Sequence, residues 1–221
     1  MRWPDSLHVD PGKASRARIG LSFLAALIGF GAFGETPSPA RWVEARPGWL
    51  FRSRQIPASD VATVLRKQKI DVVIDLSDDP IDPIRDAEAA AADELGILYL
   101  HVPVSSGAER QIEGFGRAVA GIAQAHARGE RVLVHCKLGH RRSAMAIALY
   151  ARIVEDAAPQ VAYRELMRFA DPSADWQTDA KLFLERHLPA IERRVEAELA
   201  HGPDRLTRAS APADTSEHAE N

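Results

Sequence analysis

The chain of 221 residues contains one cysteine, Cys136, and only 6% aromatic residues. A single cysteine excludes an intramolecular disulfide and any metal site built from several thiolates. Neither sign of charge dominates, because 28 lysine and arginine residues stand against 31 acidic residues for a formal net charge of −3. A nucleic-acid-binding surface, which requires a basic excess, is therefore not expected. The length allows one domain with a sizeable core plus tails.

Long apolar runs are also lacking. The longest uncharged stretch covers residues 19–34, and its 16 residues are fewer than the roughly 20 that a membrane-spanning helix needs. Three basic residues lie within the seven positions before it: Lys13, Arg16 and Arg18. This order predicts a signal peptide or membrane anchor over residues 1–34, with the following domain outside the cytoplasm, in the periplasm or attached to the membrane. A buried helix at the start of the domain is the alternative.

The rest of the chain divides by composition. Prolines and a glycine predict a linker over residues 35–48, and a polar stretch over residues 201–221 predicts a disordered tail. Between them, over residues 49–200, strand-like and helix-like segments alternate. That alternation predicts an α/β fold with a mainly parallel central sheet flanked by helices. Ligands of such sheets bind beyond the carboxyl ends of the strands.

Cys136 lies at such an end, after a strand-like segment at residues 131–134 and before a helix-like segment at residues 144–150. A phosphate monoester is a dianion and a cysteine attacks it as a thiolate, so this chemistry needs concentrated positive potential. Backbone N–H groups of residues 137–142 and the start of the next helix could provide it. Arg142 could grip two phosphate oxygens with its planar guanidinium. The alternative is that Cys136 is a small buried apolar residue.

The other residues of this segment suit the same chemistry. Gly139 can adopt the positive φ that a tight loop needs, and the Ser143 hydroxyl could donate a hydrogen bond to the sulfur. Residues 136–142 are termed the phosphate loop below. Its candidate phosphate-binding residues are Lys137, Leu138, Gly139, His140, Arg141 and Arg142. No metal or organic cofactor is expected, since Arg142 and the loop amides supply the positive charge.

The run His-Cys-x-x-Gly-x-x-Arg-Ser at residues 135–143 resembles the signature loop of the cysteine-dependent protein tyrosine and dual-specificity phosphatases. The likeness covers about residues 41–190 and suggests the compact bacterial type. It implies a dual-specificity-phosphatase-like fold and hydrolysis of phosphomonoesters through a phosphocysteine on Cys136. It also implies that His135 supports the loop by hydrogen bonding. The implied substrate is a phosphorylated protein or a phospholipid.

One part of the family's pattern is missing. The resemblance implies an aspartic acid shortly after residues 102–104 to protonate the leaving oxygen, but Ser106 occupies the aligned position. The nearest carboxylate is Glu109, which we take as the candidate general acid. Its alternative role is that of a first-turn helix residue favoured by the helix dipole. An Asp5 in a Trp-Pro-Asp run lies before the apolar N-terminal stretch and is given no catalytic role.

Three functions remain open from the sequence. The first is a protein tyrosine or dual-specificity phosphatase, and a lipid-phosphate phosphatase could use the same loop. The missing aspartate also suits a phosphate-binding protein with little turnover. A sulfurtransferase is a third option, although Arg142 with Ser143 at a helix start suits tetrahedral phosphate better. The physiological substrate is not specified by these residues.

Overall fold

The computed structural model describes residues 42–168 and 174–201. The strands in these ranges are β1 Val43–Arg46, β2 Leu50–Arg54, β3 Val72–Asp75, β4 Leu98–His101 and β5 Val132–Cys136. The helices are α1 Val61–Gln68, α2 Pro83–Glu94, α3 Ala108–Ala127, α4 Arg142–Ile153, α5 Pro159–Arg168 and α6 Ala174–Ala200. Strands and helices alternate from β2 to α4, as the sequence pattern predicts.

The strands form one mixed sheet in the order β1-β2-β5-β3-β4. β2, β5, β3 and β4 are parallel, and β1 joins the edge antiparallel to β2. The predicted fold class, a mainly parallel sheet flanked by helices, is confirmed. The register pairs Arg54 of β2 and Asp75 of β3 with the last residues of β5, so the three carboxyl ends lie at one edge.

Side-chain alternation along the strands creates two apolar layers. Successive strand residues point to opposite faces, with Leu50, Val72 and Val132 on one face and Phe51, Val73 and Leu133 on the other. Helices α3 to α6 cover the first face, and α1 and α2 cover the second. Every residue of β5 is buried, as expected for a central parallel strand covered on both sides.

Helices α2 and α4 both begin near the carboxyl edge of the sheet. Asp82 caps α2 by accepting hydrogen bonds from the amides of Ile84 and Arg85, with Pro83 at the first helical position. Helix α4 begins at Arg142 and buries a continuous run from Ser143 to Ala151. It therefore packs in the interior directly after the phosphate loop.

The expected start of the domain is wrong. Residues 43–46, expected in a linker, form β1 and pair with β2, and Ala45 is buried. The domain therefore begins before residue 49. Helix α6 runs through Pro189 without a break. Pro189 lies on an exposed side of the helix, where water can satisfy the carbonyl left without an N–H partner.

Residues 1–41, 169–173 and 202–221 lie outside the described residues. The predicted signal peptide or anchor over residues 1–34, with the Trp-Pro-Asp run, falls there, as does nearly all of the predicted tail. In the described ranges, none of the helices combines the length and apolar character needed to cross a bilayer.

Candidate active site

The backbone around Cys136 is anchored to both neighbouring strands. The Gln55 amide donates to the Cys136 carbonyl at 3.0 Å, and the Leu76 amide donates to the His135 carbonyl at 3.0 Å. Cys136 itself is 4% exposed. The phosphate loop therefore leaves the sheet from a fixed base and enters α4 at Arg142.

Gly139 is required by the geometry of the loop. Its φ is +73°, as expected from the sequence, and a Cβ at this position would lie 2.5 Å from the Arg54 nitrogen and 2.8 Å from the Ser53 carbonyl carbon. Real Cβ atoms do not approach backbone atoms this closely. The loop therefore packs directly against the end of β2, where only glycine fits.

The surroundings of the Cys136 thiol favour its ionised form. Burial opposes ionisation, but hydrogen bonds from the Ser143 amide and hydroxyl and from the Gly139 amide, with the charge of His135, outweigh it. Together they hold the pKa of the thiol below its ordinary value. The Cys136 Sγ and Ser143 Oγ atoms are 3.7 Å apart. Thiolates are the reactive form of cysteine, so Cys136 is suited to act as a nucleophile.

Arg142 is held by the segment that follows β3. Its Nη2 lies 2.6 Å from Asp78 Oδ1, and its Nη1 donates to the Leu76 carbonyl at 3.4 Å. Residues 77–82 are termed the acidic segment below. The pairing of Asp78 with Arg142 was not expected from the sequence. The feature of the sequence that could have indicated this pairing is the acidic run directly after β3, a strand that ends at the same sheet edge as β5.

The acidic segment contacts a second cation of the phosphate loop. Lys137 Nζ lies 2.9 Å from Asp79 Oδ2. This contact lowers the pKa of Asp79 and raises that of Lys137. The Lys137 side chain is 59% exposed, and Leu138 beside it is 64% exposed. Both residues therefore turn their side chains outward. Only their backbone N–H groups are then available to a bound anion.

A cavity of about 350 Å³ opens beside Arg142. It is lined by Val104, Ser105, Ser106, Gln111, Phe115, Arg141, Arg142, Met145, Asp179, Ala180 and Phe183. Its size is at the lower end of the range for small-molecule sites. Ser106, at the position where the family's pattern has an aspartate, belongs to the lining. The one carboxylate among these lining residues is Asp179 of α6.

Glu109 does not line this cavity. It is exposed in the first turn of α3, where the helix dipole favours a negative charge. This position fits the alternative role given to Glu109 above. The structure thus places the Ser143 hydroxyl beside the Cys136 sulfur and Arg142 in the lining of the cavity, while Cys136 and Glu109 are not among the lining residues. Asp179 was not expected from the sequence, because no local motif marks a residue that reaches the cavity from a later helix.

Behind the phosphate loop lies a buried ionic cluster. His135 Nε2 is 2.9 Å from Glu88 Oε2, and His135 Nδ1 is 3.6 Å from Asp75 Oδ1. All three residues are fully buried. Burial alone would lower the pKa of His135, but Glu88 and Asp75 outweigh it and raise that pKa to about 9. Protonated His135 therefore contributes positive charge next to Cys136 in the chain.

The same three residues are the set in the described ranges that could hold a metal ion, with ligand atoms within 4.8 Å of one another. Asp75 already accepts hydrogen bonds from Ser77 and Tyr99. His135 is in direct contact with Glu88, and an ion pair satisfies both charges. The arrangement is that of an internal salt bridge.

The fold and the phosphate loop together define a phosphatase-type α/β domain. Residues 54–167 match the sequence profile of the dual-specificity phosphatase catalytic domain. The match covers about half of the chain, and the chain belongs to the dual-specificity phosphatase family. The suspected family is thereby confirmed. No curated protein matches the sequence significantly.

Solved structures of phosphatases share this fold. PTPMT1 is similar with a TM-score of 0.53 and 16% identity, over 72% of this chain and 99% of that chain. TpbA of P. aeruginosa has a TM-score of 0.52 and 22% identity, over 73% and 99%. Tk-PTP has a TM-score of 0.51 and 20% identity, over 72% and 98%. At these identities the likeness concerns the fold alone.

Proposed function

We propose that this protein hydrolyses phosphomonoesters through a phosphocysteine intermediate. The observation that carries the proposal is the Cys136 thiol, whose pKa is lowered at the base of a loop that ends at Arg142 and the start of α4. A helix start and oriented amides favour a bound dianion. This combination brings a thiolate and a phosphate together despite their like charges.

In the first step the Cys136 thiolate attacks phosphorus. The S–P bond forms as the P–O bond to the leaving group breaks, and the leaving oxygen takes up a proton. Arg142 binds two of the remaining phosphate oxygens, which requires it to exchange its ion pair with Asp78 for the substrate. The loop amides stabilise the charge on the transferring group.

In the second step a water oxygen attacks the phosphocysteine. The O–P bond forms as the S–P bond breaks, and the proton of the water passes to the group that protonated the leaving oxygen or to solvent. Inorganic phosphate leaves and the thiolate is restored. The Ser143 hydroxyl, 3.7 Å from the sulfur, donates a hydrogen bond to the departing thiolate. This contact makes the sulfur a better leaving group, since it stabilises the negative charge that develops there.

The proton for the leaving group has two candidate donors. Glu109 is the carboxylate nearest in sequence to the aligned position, and Asp179 is the one among the residues that line the cavity beside Arg142. The position of Asp179 favours it, because a general acid must come within hydrogen-bonding reach of the leaving oxygen. Water is the remaining source if neither carboxylate serves.

Substitution of each carboxylate separates these donors. Asp179→Asn and Glu109→Gln should be compared on phenyl phosphate, whose leaving group has a pKa of about 10, and on p-nitrophenyl phosphate, whose leaving group needs little protonation. The donor's variant should lose turnover on phenyl phosphate selectively. Equal losses on both substrates would contradict a role in proton transfer.

The substrate class proposed first is a phosphotyrosine-containing protein. Phe115 and Phe183 line the cavity with their ring centroids 5.8 Å apart, which suits contact with an aryl ring. A TpbA variant has been solved in complex with pTyr. A lipid phosphate is the second candidate, since Arg141 adds another cation to the lining and PTPMT1 has been solved in complex with PI(5)P.

A substrate panel tests the proposal. Phosphotyrosine and phosphoserine peptides and vesicles that contain PI(5)P should be compared for wild type and Cys136→Ser. Hydrolysis by wild type, inhibition by vanadate and loss of turnover with retained binding in Cys136→Ser would support it. Binding without wild-type turnover would indicate a phosphate-binding protein. Thiosulfate sulfurtransferase activity without phosphatase activity would indicate the third function.

We also propose that residues 1–34 direct the domain out of the cytoplasm, as a cleaved signal peptide or as an anchor through residues 19–34. The support is the basic segment that precedes an apolar one. Fractionation of a C-terminally tagged protein tests this proposal. Recovery of the full-length protein in the cytosolic fraction alone would contradict it.

A further inference from the structure

Glu88 is a carboxylate that the mechanism above does not use. It lies on α2, is fully buried and contacts His135 Nε2 at 2.9 Å. In the described part of the chain, neither of its carboxylate oxygens has a hydrogen bond of good geometry from another group. His135 is therefore the partner that compensates the burial of this charge.

Burying a carboxylate is unfavourable unless an opposite charge accompanies it. The effective penalty is several kcal/mol per ion, and an apolar side chain of similar volume usually packs at no such cost. On the same helix Ala91 and Ala92 are buried without polar partners. Packing of α2 alone therefore gives no reason for a carboxylate at position 88.

Asp75, the other carboxylate beside His135, is committed elsewhere. It accepts hydrogen bonds from the Ser77 amide at 2.8 Å, from the Ser77 hydroxyl at 2.6 Å and from the Tyr99 hydroxyl at 3.0 Å. It also lies farther from the imidazole, at 3.6 Å. The titratable and charged groups that face this cluster are Asp75, Glu88, Tyr99, Arg85 and Cys136.

We propose that Glu88 is a positioning residue for the phosphatase reaction: its carboxylate holds His135 as an imidazolium, whose charge keeps the neighbouring Cys136 sulfur ionised from behind the loop. Gly139 and Ser143 stabilise the thiolate from the loop side, and His135 does so from the sheet side. This inference rests on the proposed role of the thiolate. The role of Glu88 is indirect, since it acts through His135.

The test uses the full chain and reads the thiol without any substrate. Because Cys136 is the one cysteine in the sequence, iodoacetamide reports on it alone. Glu88→Gln keeps the size of the side chain and removes its charge. We expect His135 to lose its proton in this variant, so the alkylation rate below the wild-type midpoint should fall about five- to tenfold. Glu88→Asp should restore most of the rate.

The direction of the shift separates this role from a general effect of charge. Loss of a nearby negative charge alone would make the thiol more acidic and raise the alkylation rate at low pH. An unchanged or increased rate in Glu88→Gln would therefore overturn the inference. His135→Asn should reproduce the decrease, and adding Glu88→Gln to it should cause no further change.

Measurement on the wild-type protein guards against variants that do not fold. The imidazole nitrogen signals of His135 should be those of an imidazolium at pH 8, and a neutral ring at pH 7 would overturn the inference. Failure of the proposed function remains distinguishable. A protein that hydrolyses no phosphomonoester can still show, or lack, the alkylation and NMR behaviour described here.

Discussion

Arg142 and Asp78 form an ion pair in which Nη2 and Oδ1 are 2.6 Å apart. The guanidinium that we assign to phosphate binding is thus occupied by an internal carboxylate. A phosphate must replace this carboxylate, and both side chains are about one third exposed, at 32% and 28%. Exchange is feasible because ion pairs of this exposure contribute about 1 kcal/mol or less.

Asp78→Asn should therefore strengthen binding of anions at the phosphate loop. The substitution removes a competitor for Arg142 and a charge that repels the incoming dianion. We expect vanadate to inhibit at a concentration about two- to fivefold lower, in keeping with the energy of such a pair. The measurement is the vanadate inhibition constant at fixed ionic strength.

Asp79→Asn is the matched control for this prediction. It makes the same charge change one residue away, but Asp79 contacts Lys137 at the exposed rim. Its effect should be smaller and should vanish at high salt. Equal effects of both variants would show that only the net charge matters, and weaker vanadate binding in Asp78→Asn would show that Asp78 mainly orients Arg142.

Gly139→Ala should abolish most of the activity. The added Cβ would lie 2.5 Å from the Arg54 nitrogen, at a φ of +73°. The loop must then move away from β2, which displaces the Gly139 amide that donates to the Cys136 sulfur and the neighbouring amides proposed to bind phosphate. Because small displacements of a catalytic group have large effects, we expect kcat/KM to fall at least about 100-fold.

Gly129→Ala provides the control, since it separates the strain of a positive φ from the steric clash of the added Cβ. Gly129 has nearly the same φ, +74°, but a Cβ there would meet nothing within 4 Å. It should lower the free energy of unfolding by about 1 kcal/mol and leave kcat/KM unchanged. If the two variants lost activity equally, close packing of the loop against β2 would not be the cause.

Ser143→Ala should slow the second step of the reaction more than the first. The hydroxyl lies 3.7 Å from the Cys136 sulfur and helps to keep the pKa of the thiol low. Without it, phosphocysteine should accumulate, and p-nitrophenyl phosphate should give a burst of p-nitrophenol followed by turnover about tenfold or more slower. Stopped-flow kinetics measures both phases. A steady rate without a burst would assign Ser143 another role.

The phosphate loop could be predicted because its residues are contiguous. Cys136, Gly139, Arg142 and Ser143 lie within one strand-to-helix connection, so their spacing alone indicates which groups converge. The fold class could be predicted for a related reason, since buried strands such as β5 leave unbroken apolar runs. β1 was missed because residues 43–46 include two charged side chains and lie between prolines.

The partners of the loop could not be predicted because tertiary structure brings them to it. Asp78 reaches Arg142 only because β3 is adjacent to β5 in the sheet. Glu88 reaches His135 only after α2 packs against the sheet, and Asp179 reaches the cavity only from α6. In the sequence each of these is an ordinary acidic residue. Glu109 was chosen for its nearness in sequence, which does not place it in the cavity.

The buried cluster also predicts how stability depends on pH. The pKa of His135 is raised to about 9 in the folded protein, against about 6.5 for an unfolded chain. The folded state therefore binds the proton more tightly, so this stabilisation is complete below pH 6.5 and is lost as the pH rises towards 9. Urea unfolding should show the free energy of unfolding falling across this window, by at most about 1.4 kcal/mol per pH unit.

The experiment belongs in the Cys136→Ser background, because the low pKa of the thiol produces the opposite slope. His135→Asn in that background should flatten the dependence, and an equally steep decline in both proteins would mean that other groups cause it.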